Sequence, residues 1–299
     1  MATVAARPVQ ADAIPTRPNV LWEFIKSQPL GLFGLFIILV YVACALGARW
    51  ISPFDPEAID FGAMLTRPGG EHWFGTDQYG RDVFSRIVYG SRTALAVGIL
   101  SAIAGCTIGA LVGAAAGYFG GRIDNAIQRV VDIMLSFPII VLAMVVVAVL
   151  GKRTFVGIDF NLIAAITLPI IPRMERVARA STLSLVAMPF IDAARAAGYS
   201  HKRIILRHIV PNIVAPYLIM VSASMAQAIL LEASLSFLGL GVTEPTPAWG
   251  LMLSGTSADF YQAAPWMILF PGIAITLAVF AFNLFGDSLR DWLDPKLKS

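Results

Sequence analysis

The chain has 299 residues, of which 57% are apolar and only 14% are charged. This composition excludes a soluble globular enzyme and a disordered chain, and it is typical of a protein that crosses the membrane several times. The net charge of +3 reflects how basic residues are shared between the two sides of the membrane and does not indicate a nucleic-acid partner.

Runs without charged residues locate the membrane spans, because a crossing helix needs about 20 mostly apolar residues. The fourth run is short, so either it is not a span or its helix continues through residues 173–179. We expect the second, because Glu175 and Arg179 can pair at i,i+4. The fold class predicted is therefore an all-α polytopic membrane protein with six transmembrane helices. The six charge-free runs are 27–48, 93–121, 133–151, 160–172, 209–231 and 260–286.

The distribution of lysine and arginine gives the orientation. Most basic residues fall on one side of the membrane if both termini are cytoplasmic, as the positive-inside rule requires. Residues 1–28 then form a cytoplasmic tail, disordered over 1–20, with a short interfacial lead-in. The first transmembrane helix is placed at 29–51, and 52–92 is an extracytoplasmic loop that ends in an interfacial helix.

The second span carries a stripe of glycines at four-residue spacing: Gly105, Gly109, Gly113 and Gly117. Such a stripe predicts close packing against another helix in lipid. In the third helix, Arg129 and Asp132 can pair at i,i+3, and Phe137-Pro138 predicts a kink.

The longest basic segment between apolar spans runs from Pro189 to Pro216. Pro189 begins a short helix with Asp192 in its first turn, Gly198 ends it, and Ser200 can cap the next. Its small residues suit docking in a groove on another protein, whereas an ordinary cytoplasmic loop with topology-fixing arginines is the alternative. The candidate docking residues are Asp192, Ala193, Ala194, Gly198, Lys202, Arg203, Arg207 and Pro211, the last of which is expected to mark the start of the following apolar span.

Two polar residues lie within the fifth span, Gln227 and Glu232. Burying an acid in lipid is costly, so Glu232 is a functional candidate, with a structural hydrogen bond as the alternative. The loop at 242–266 contains Glu244 and Asp259 but no lysine or arginine. We expect it to form a mildly negative surface that could receive a peptide amine or a cation.

The sequence lacks the motifs of several classes of enzyme and of ATP-binding proteins. There is no G-x-x-x-x-G-K-[ST] phosphate loop, no H-E-x-x-H and no G-x-S-x-G, so the chain is predicted not to be an enzyme and not to bind ATP itself. No metal site is expected, and Cys44 and Cys106 lie in apolar spans without indicating a disulfide. An ATP-independent secondary transporter is the alternative from another class, although the inverted repeats it would need are not evident.

Four segments resemble a known family. The residues Asp192, Ala193, Ala194, Gly198 and Pro211 resemble the cytoplasmic EAA loop of bacterial ABC-importer permeases, with Asp in place of the usual Glu. The segments 75–82, 232–241 and 283–295 resemble the C-type membrane subunit of dipeptide, oligopeptide and nickel importers.

This resemblance implies one N-terminal helix plus a five-helix type I permease core at 93–288, a cytoplasmic coupling loop at 181–210 and a cytoplasmic tail at 289–299. It implies a multi-pass protein of the bacterial inner membrane that forms a path for di- or oligopeptides and couples to ATPase subunits through 189–211. The implied partners are a B-type permease, two ATP-binding subunits, which would hold ATP and Mg, and an extracytoplasmic solute-binding protein. An importer of nickel or another small solute is the alternative within the family.

Overall fold

The structure is a computed structural model, and it describes residues 27–151, 154–155, 158–255, 259–260 and 262–293. The tail predicted at 1–20, the lead-in at 21–26 and the last six residues lie outside the described residues. Within them the fold is helical, apart from a 3₁₀ turn at Phe61–Ala63 and a hairpin of two-residue strands, Thr154–Phe155 and Ile158–Asp159. The helices are α1 (Pro29–Ile51), α2 (Val83–Phe119), α3 (Gly121–Ser136), α4 (Ile139–Leu150), α5 (Phe160–Val186), α6 (Pro189–Ala196), α7 (His201–Phe237), α8 (Trp249–Met252) and α9 (Trp266–Leu293).

Four helices, α1, α2, α7 and α9, are each long and apolar enough to cross a membrane. Two further spans result if each bent pair of helices counts as one, namely α3 with α4, and α5 with α6. The predicted all-α fold with six spans is thus confirmed on that count. The expected kink at Phe137-Pro138 is also confirmed, since α3 and α4 meet there at 98°.

The fourth span runs on through its charged residues, as expected, because α5 continues to Val186. Asp159 begins it as the N-cap, with its Oδ1 accepting hydrogen bonds from the backbone N–H groups of Asn161 at 2.9 Å and Leu162 at 3.3 Å. Pro169 and Pro172 lie inside this helix and are both buried.

The centre of the molecule is the packing of α2 against α5. A Cβ atom added at Gly109 would lie 2.5 Å from the carbonyl oxygen of Ile171, and one at Gly105 would lie 2.8 Å from Ile170 Cβ. Gly113 and Gly117 approach α5 in the same way, at Glu175 and Thr182. The glycine stripe therefore lets the two backbones approach more closely than any larger side chain would allow.

Around this pair, α7 packs on α2, and α9 packs on α7 and α1. One core cluster lies between α2, α5 and α7 and includes the fully buried Ile166, Ile170 and Met174. Helix α1 sits at the edge, where large apolar side chains face outward: Leu30, Phe33, Phe36, Leu39 and Leu46 are each more than half exposed. This surface is suited to lipid.

Candidate functional site

The predicted coupling segment forms a sharp corner at the end of α5. Helix α6 leaves α5 at 73°, and Pro189 occupies its first turn, where the absent N–H costs no hydrogen bond. Ile191 and Ala194 lie on the inner face of this helix and are buried, whereas Asp192 and Ala193 are exposed. Of the two alanines in the motif, only Ala193 is thus on the outer face, and Ala194 packs against the protein.

Gly198 ends this short helix in the left-handed conformation, with φ of +74°. The backbone N–H of Tyr199 donates to the carbonyl of Ala194 at 3.1 Å, and that of Gly198 donates to Arg195 at 3.0 Å. A Cβ added at Gly198 would meet nothing within 4 Å. Glycine is therefore favoured here for its backbone conformation and not for space.

Side-chain contacts fix the corner to the end of α2. The hydroxyl of Tyr118 lies 2.8 Å from Nδ1 of His201, the first residue of α7. Ser200 caps α7, accepting from the backbone N–H of Arg203 at 3.4 Å. The guanidinium of Arg203 lies 3.9 Å from the ring centroid of Tyr199, the residue that follows Gly198. This cation–π contact joins the end of the corner to α7.

The outward surface of the corner is basic. Lys202, Arg203 and Arg207 are all exposed, and Leu206, which lies among them, is 46% exposed. Among the ion pairs of the described residues, the one in this segment joins Arg195 to Asp192 at 3.2 Å. The segment 189–211 therefore presents small residues and uncompensated positive charge on one side.

Pro211 lies in the first turn of a 3₁₀ stretch, three residues before the regular α-helical part of α7 begins at Val214. Helix α7 runs without interruption from His201 to Phe237. A proline has no N–H to donate, and the helix accommodates it through a π-helical stretch at Ile205–Ile209 and a 3₁₀ stretch at Val210–Ile213.

Polar contacts tie α3 to α5 above the corner. Asp124 receives two hydrogen bonds of 2.6 Å from Arg179, and Asp132 pairs with Arg176 at 2.6 Å. Between them, Gln128 Nε2 donates to Glu175 at 2.7 Å. The predicted local pairs Arg129–Asp132 and Glu175–Arg179 were therefore wrong. The charged side chains of α3 and α5 pair between the two packed helices and not within each helix.

The two polar candidates of α7 have different surroundings. Gln227 accepts a 2.6 Å hydrogen bond from the guanidinium of Arg173 on α5, at the surface of the described chain. Glu232 is fully buried and accepts from the hydroxyl of Ser236 at 2.7 Å. That hydroxyl in turn accepts from the backbone N–H of Val242 at 3.2 Å, so Glu232 holds the loop that follows α7.

Of the two acids expected to give the loop at 242–266 a negative surface, Asp259 is exposed, whereas Glu244 is paired with arginines. Glu244 lies 2.5 Å from Arg81 Nη1 and 3.5 Å from Arg86 Nη2, and Arg81 is also paired with Asp77 at 2.6 Å. We call Asp77, Arg81, Arg86 and Glu244 the outer cluster. It joins two segments that the sequence separates widely, which is why local patterns did not reveal it.

Breaking the outer cluster is expected to destabilise the fold. Arg81 is 4% exposed, and Arg81→Gln would leave the carboxylate of Asp77 buried without its main partner. The loss of one member of a buried pair costs about 3–5 kcal/mol. We expect a clearly lower melting temperature in detergent, whereas Asp192→Asn, which breaks an exposed pair, should change it little. An unchanged melting temperature for Arg81→Gln would contradict a structural role of this cluster.

The sequence matches a family model described as the inner membrane component of binding-protein-dependent transport systems, over residues 105–299. The chain belongs to this family of ABC-importer permeases. A second model, the N-terminal transmembrane domain of oligopeptide transport permease C, matches residues 20–68. The permease is thus a transport subunit of the inner membrane and not an enzyme.

Curated relatives cover nearly the whole permease. It is 43% identical over 275 residues to the dipeptide transport system permease protein DppC of Alkalihalophilus pseudofirmus, covering 92% of this chain and 88% of that one. It is 41% identical over 291 residues to the glutathione transport system permease protein GsiD of Escherichia coli, covering 97% and 94%.

A solved structure has the same fold. The inward-facing MetNI methionine ABC transporter contains a chain that superposes with a TM-score of 0.51 at 20% identity, covering 71% of this permease and 98% of that chain. Membership of the ABC-importer permeases favours this class over the alternative of an ATP-independent secondary transporter.

Proposed function

We propose that this permease forms part of the translocation path for di- or oligopeptides and receives the ATP-driven motion of its partners through the 189–211 segment. The observation that carries the proposal is the corner at the end of α5, where exposed small residues and basic side chains lie on a rigid support. The exposed small residues Ala193, Ala196 and Ala197 let the backbone of α6 approach a groove on another protein. The positive charges of the segment suit an acidic rim.

The partners proposed are a second, B-type permease, two ATP-binding subunits and an extracytoplasmic solute-binding protein. ATP and Mg would be held by the ATP-binding subunits, and this chain would bind no cofactor. With both termini in the cytoplasm, the 189–211 segment would lie on the same side as the ATP-binding subunits.

The corner is joined to three helices, to which it would pass motion. It continues directly into α7, it follows α5, and the Tyr118–His201 contact joins it to α2. When ATP binding brings the two ATP-binding subunits together, a docked α6 would move with them. The attached helices α5 and α7 would then shift as rigid bodies. The path would then alternate between the two sides of the membrane, provided that the ATP-binding subunits contact the two states differently.

A peptide substrate is supported by the relatives, which are named for dipeptide and glutathione transport. The test is uptake into vesicles that contain this permease with its co-purified partners, measured with and without ATP for Ala-Ala and for Ni²⁺. We expect Ala-Ala uptake that requires ATP. Uptake of Ni²⁺ alone would favour the metal alternative, and uptake without ATP would contradict the coupling proposal.

A further inference from the structure

The second half of α5 carries an exposed stripe unlike the apolar surface of α1. Arg173, Arg176, Ala180 and Ser184 are all exposed, and their spacing of i, i+3, i+7 and i+11 places them on one helical face. We call these four residues the α5 stripe. None of the four is a large apolar residue, although Leu183 at the edge of this face is 44% exposed. The two arginines make the face poorly suited to lipid.

Arg173 lies midway along α5. It is the central residue of α5, so it is about 20 Å along the axis from either end at 1.5 Å per residue. Helix α5 is about 40 Å long and the hydrocarbon core is about 30 Å thick, so the Arg173 backbone lies within the core when α5 is centred on the bilayer. A charge at such a depth requires water, a counter-ion or a polar cavity around it.

The positive charge of Arg173 is not balanced by a carboxylate within the described part of the chain. Its Nη1 donates to the neutral amide oxygen of Gln227 at 2.6 Å, while its neighbour Arg176 is paired with Asp132. Arginine has five N–H donors in a planar fork, and most of those on Arg173 stay available. An interface with the second permease would have to supply a carboxylate to this charge, whereas a hydrated path needs none.

We propose that the α5 stripe lines the water-filled translocation path and that Arg173, oriented by Gln227, binds the carboxylate of a passing substrate. A guanidinium and a carboxylate form two parallel hydrogen bonds, which fits the C-terminal carboxylate that every unmodified peptide carries. This inference rests on the proposed function, because it assumes that peptides are transported. It assigns Gln227 a positioning role for the arginine.

The test uses the assembled transporter with Arg173→Cys in a background where Cys44 and Cys106 are replaced by serine and alanine. One thiol reagent adds an ammonium group to the new cysteine, and a second of similar size adds a sulfonate. We expect both to react, because the path contains water. Ala-Ala uptake should fall about tenfold or more in the variant, as for the loss of a charged hydrogen bond, and only the ammonium reagent should restore part of it.

Two matched variants control for access and for charge. Val40→Cys lies on the outward face of α1 and should not react with either charged reagent. Arg129→Cys removes an exposed arginine of α3 that lies outside the stripe, and its uptake should respond to neither reagent. Co-elution of partner subunits with Arg173→Cys should equal that of the wild type, whereas its loss would place Arg173 in an interface with the second permease and overturn the proposal.

The remaining outcomes also separate the two claims. A cysteine at position 173 that fails to react would show that the stripe is not in water, whatever the substrate is. Reaction with equal uptake after either reagent would overturn carboxylate binding. Absence of Ala-Ala uptake by the wild type would contradict the proposed peptide substrate itself, while the thiol reaction would still decide whether the stripe is hydrated.

Discussion

Replacing Gly198 with valine is expected to separate ATP hydrolysis from transport. Gly198 has φ of +74°, and a β-branched residue strongly disfavours this conformation. The left-handed conformation costs a residue with a Cβ atom roughly 1–2 kcal/mol, so the corner between α6 and α7 would change shape. We expect uptake to fall about tenfold or more, since 1.4 kcal/mol corresponds to a factor of ten. ATPase activity and expression should persist.

The asparagine variant is the control for Gly198. Asparagine adopts the left-handed conformation more readily than other residues with a Cβ atom, and the structure leaves open space at this position. Gly198→Asn should therefore retain most of the uptake. Normal uptake by Gly198→Val would contradict the assignment of this segment to coupling, and equal loss in both variants would point to side-chain bulk at the docking surface instead of backbone shape.

Replacing Gly109 with aspartate is expected to prevent folding. A Cβ atom there would lie 2.5 Å from the carbonyl oxygen of Ile171 and 2.8 Å from Met174 Cβ, so α2 and α5 would have to separate. The carboxylate would also be buried in an apolar interface, at a cost of several kcal/mol. We expect little monodisperse protein when the detergent-solubilised variant is examined by size-exclusion chromatography.

Alanine substitutions test whether glycine stabilises the fold only where two helices are in contact. Gly109→Ala should lower the melting temperature, because overpacking costs about 1–3 kcal/mol. Gly272 lies in α9, and an added Cβ there would meet nothing within 4 Å. Gly272→Ala should leave the melting temperature unchanged or raise it slightly, since alanine favours helix more than glycine does. Equal destabilisation by both would contradict the packing role of the stripe.

The parts of the fold that sequence predicted are those that depend on local pattern. Charge-free runs located the helices, the four-residue spacing of Gly105 to Gly117 indicated a close helix contact, and Phe137-Pro138 marked the 98° bend. Each of these signals lies within one segment and needs no knowledge of which helices are neighbours.

The predictions that failed concern contacts between distant segments. Asp132 could reach Arg129 on its own helix, but packing brings Arg176 of α5 within 2.6 Å. Glu244 appeared to be a free acid, yet Arg81 comes from a segment more than a hundred residues away. Charged side chains are long enough to reach several possible partners, so the tertiary arrangement determines which ion pair forms. The pairing of Arg173 with Gln227 was missed for the same reason.

The most direct test of the central claim is whether the outer face of α6 touches an ATP-binding subunit. Ala193 is exposed and Ala194 is buried, although they are adjacent in sequence. Single cysteines at these positions, in a background without Cys44 and Cys106, can be labelled with a photoactivatable cross-linker in the assembled transporter. We expect Ala193→Cys to cross-link to an ATP-binding subunit and Ala194→Cys to give no such product. Cross-linking from neither position, in a complex that still contains the ATP-binding subunits, would contradict docking through the 189–211 segment.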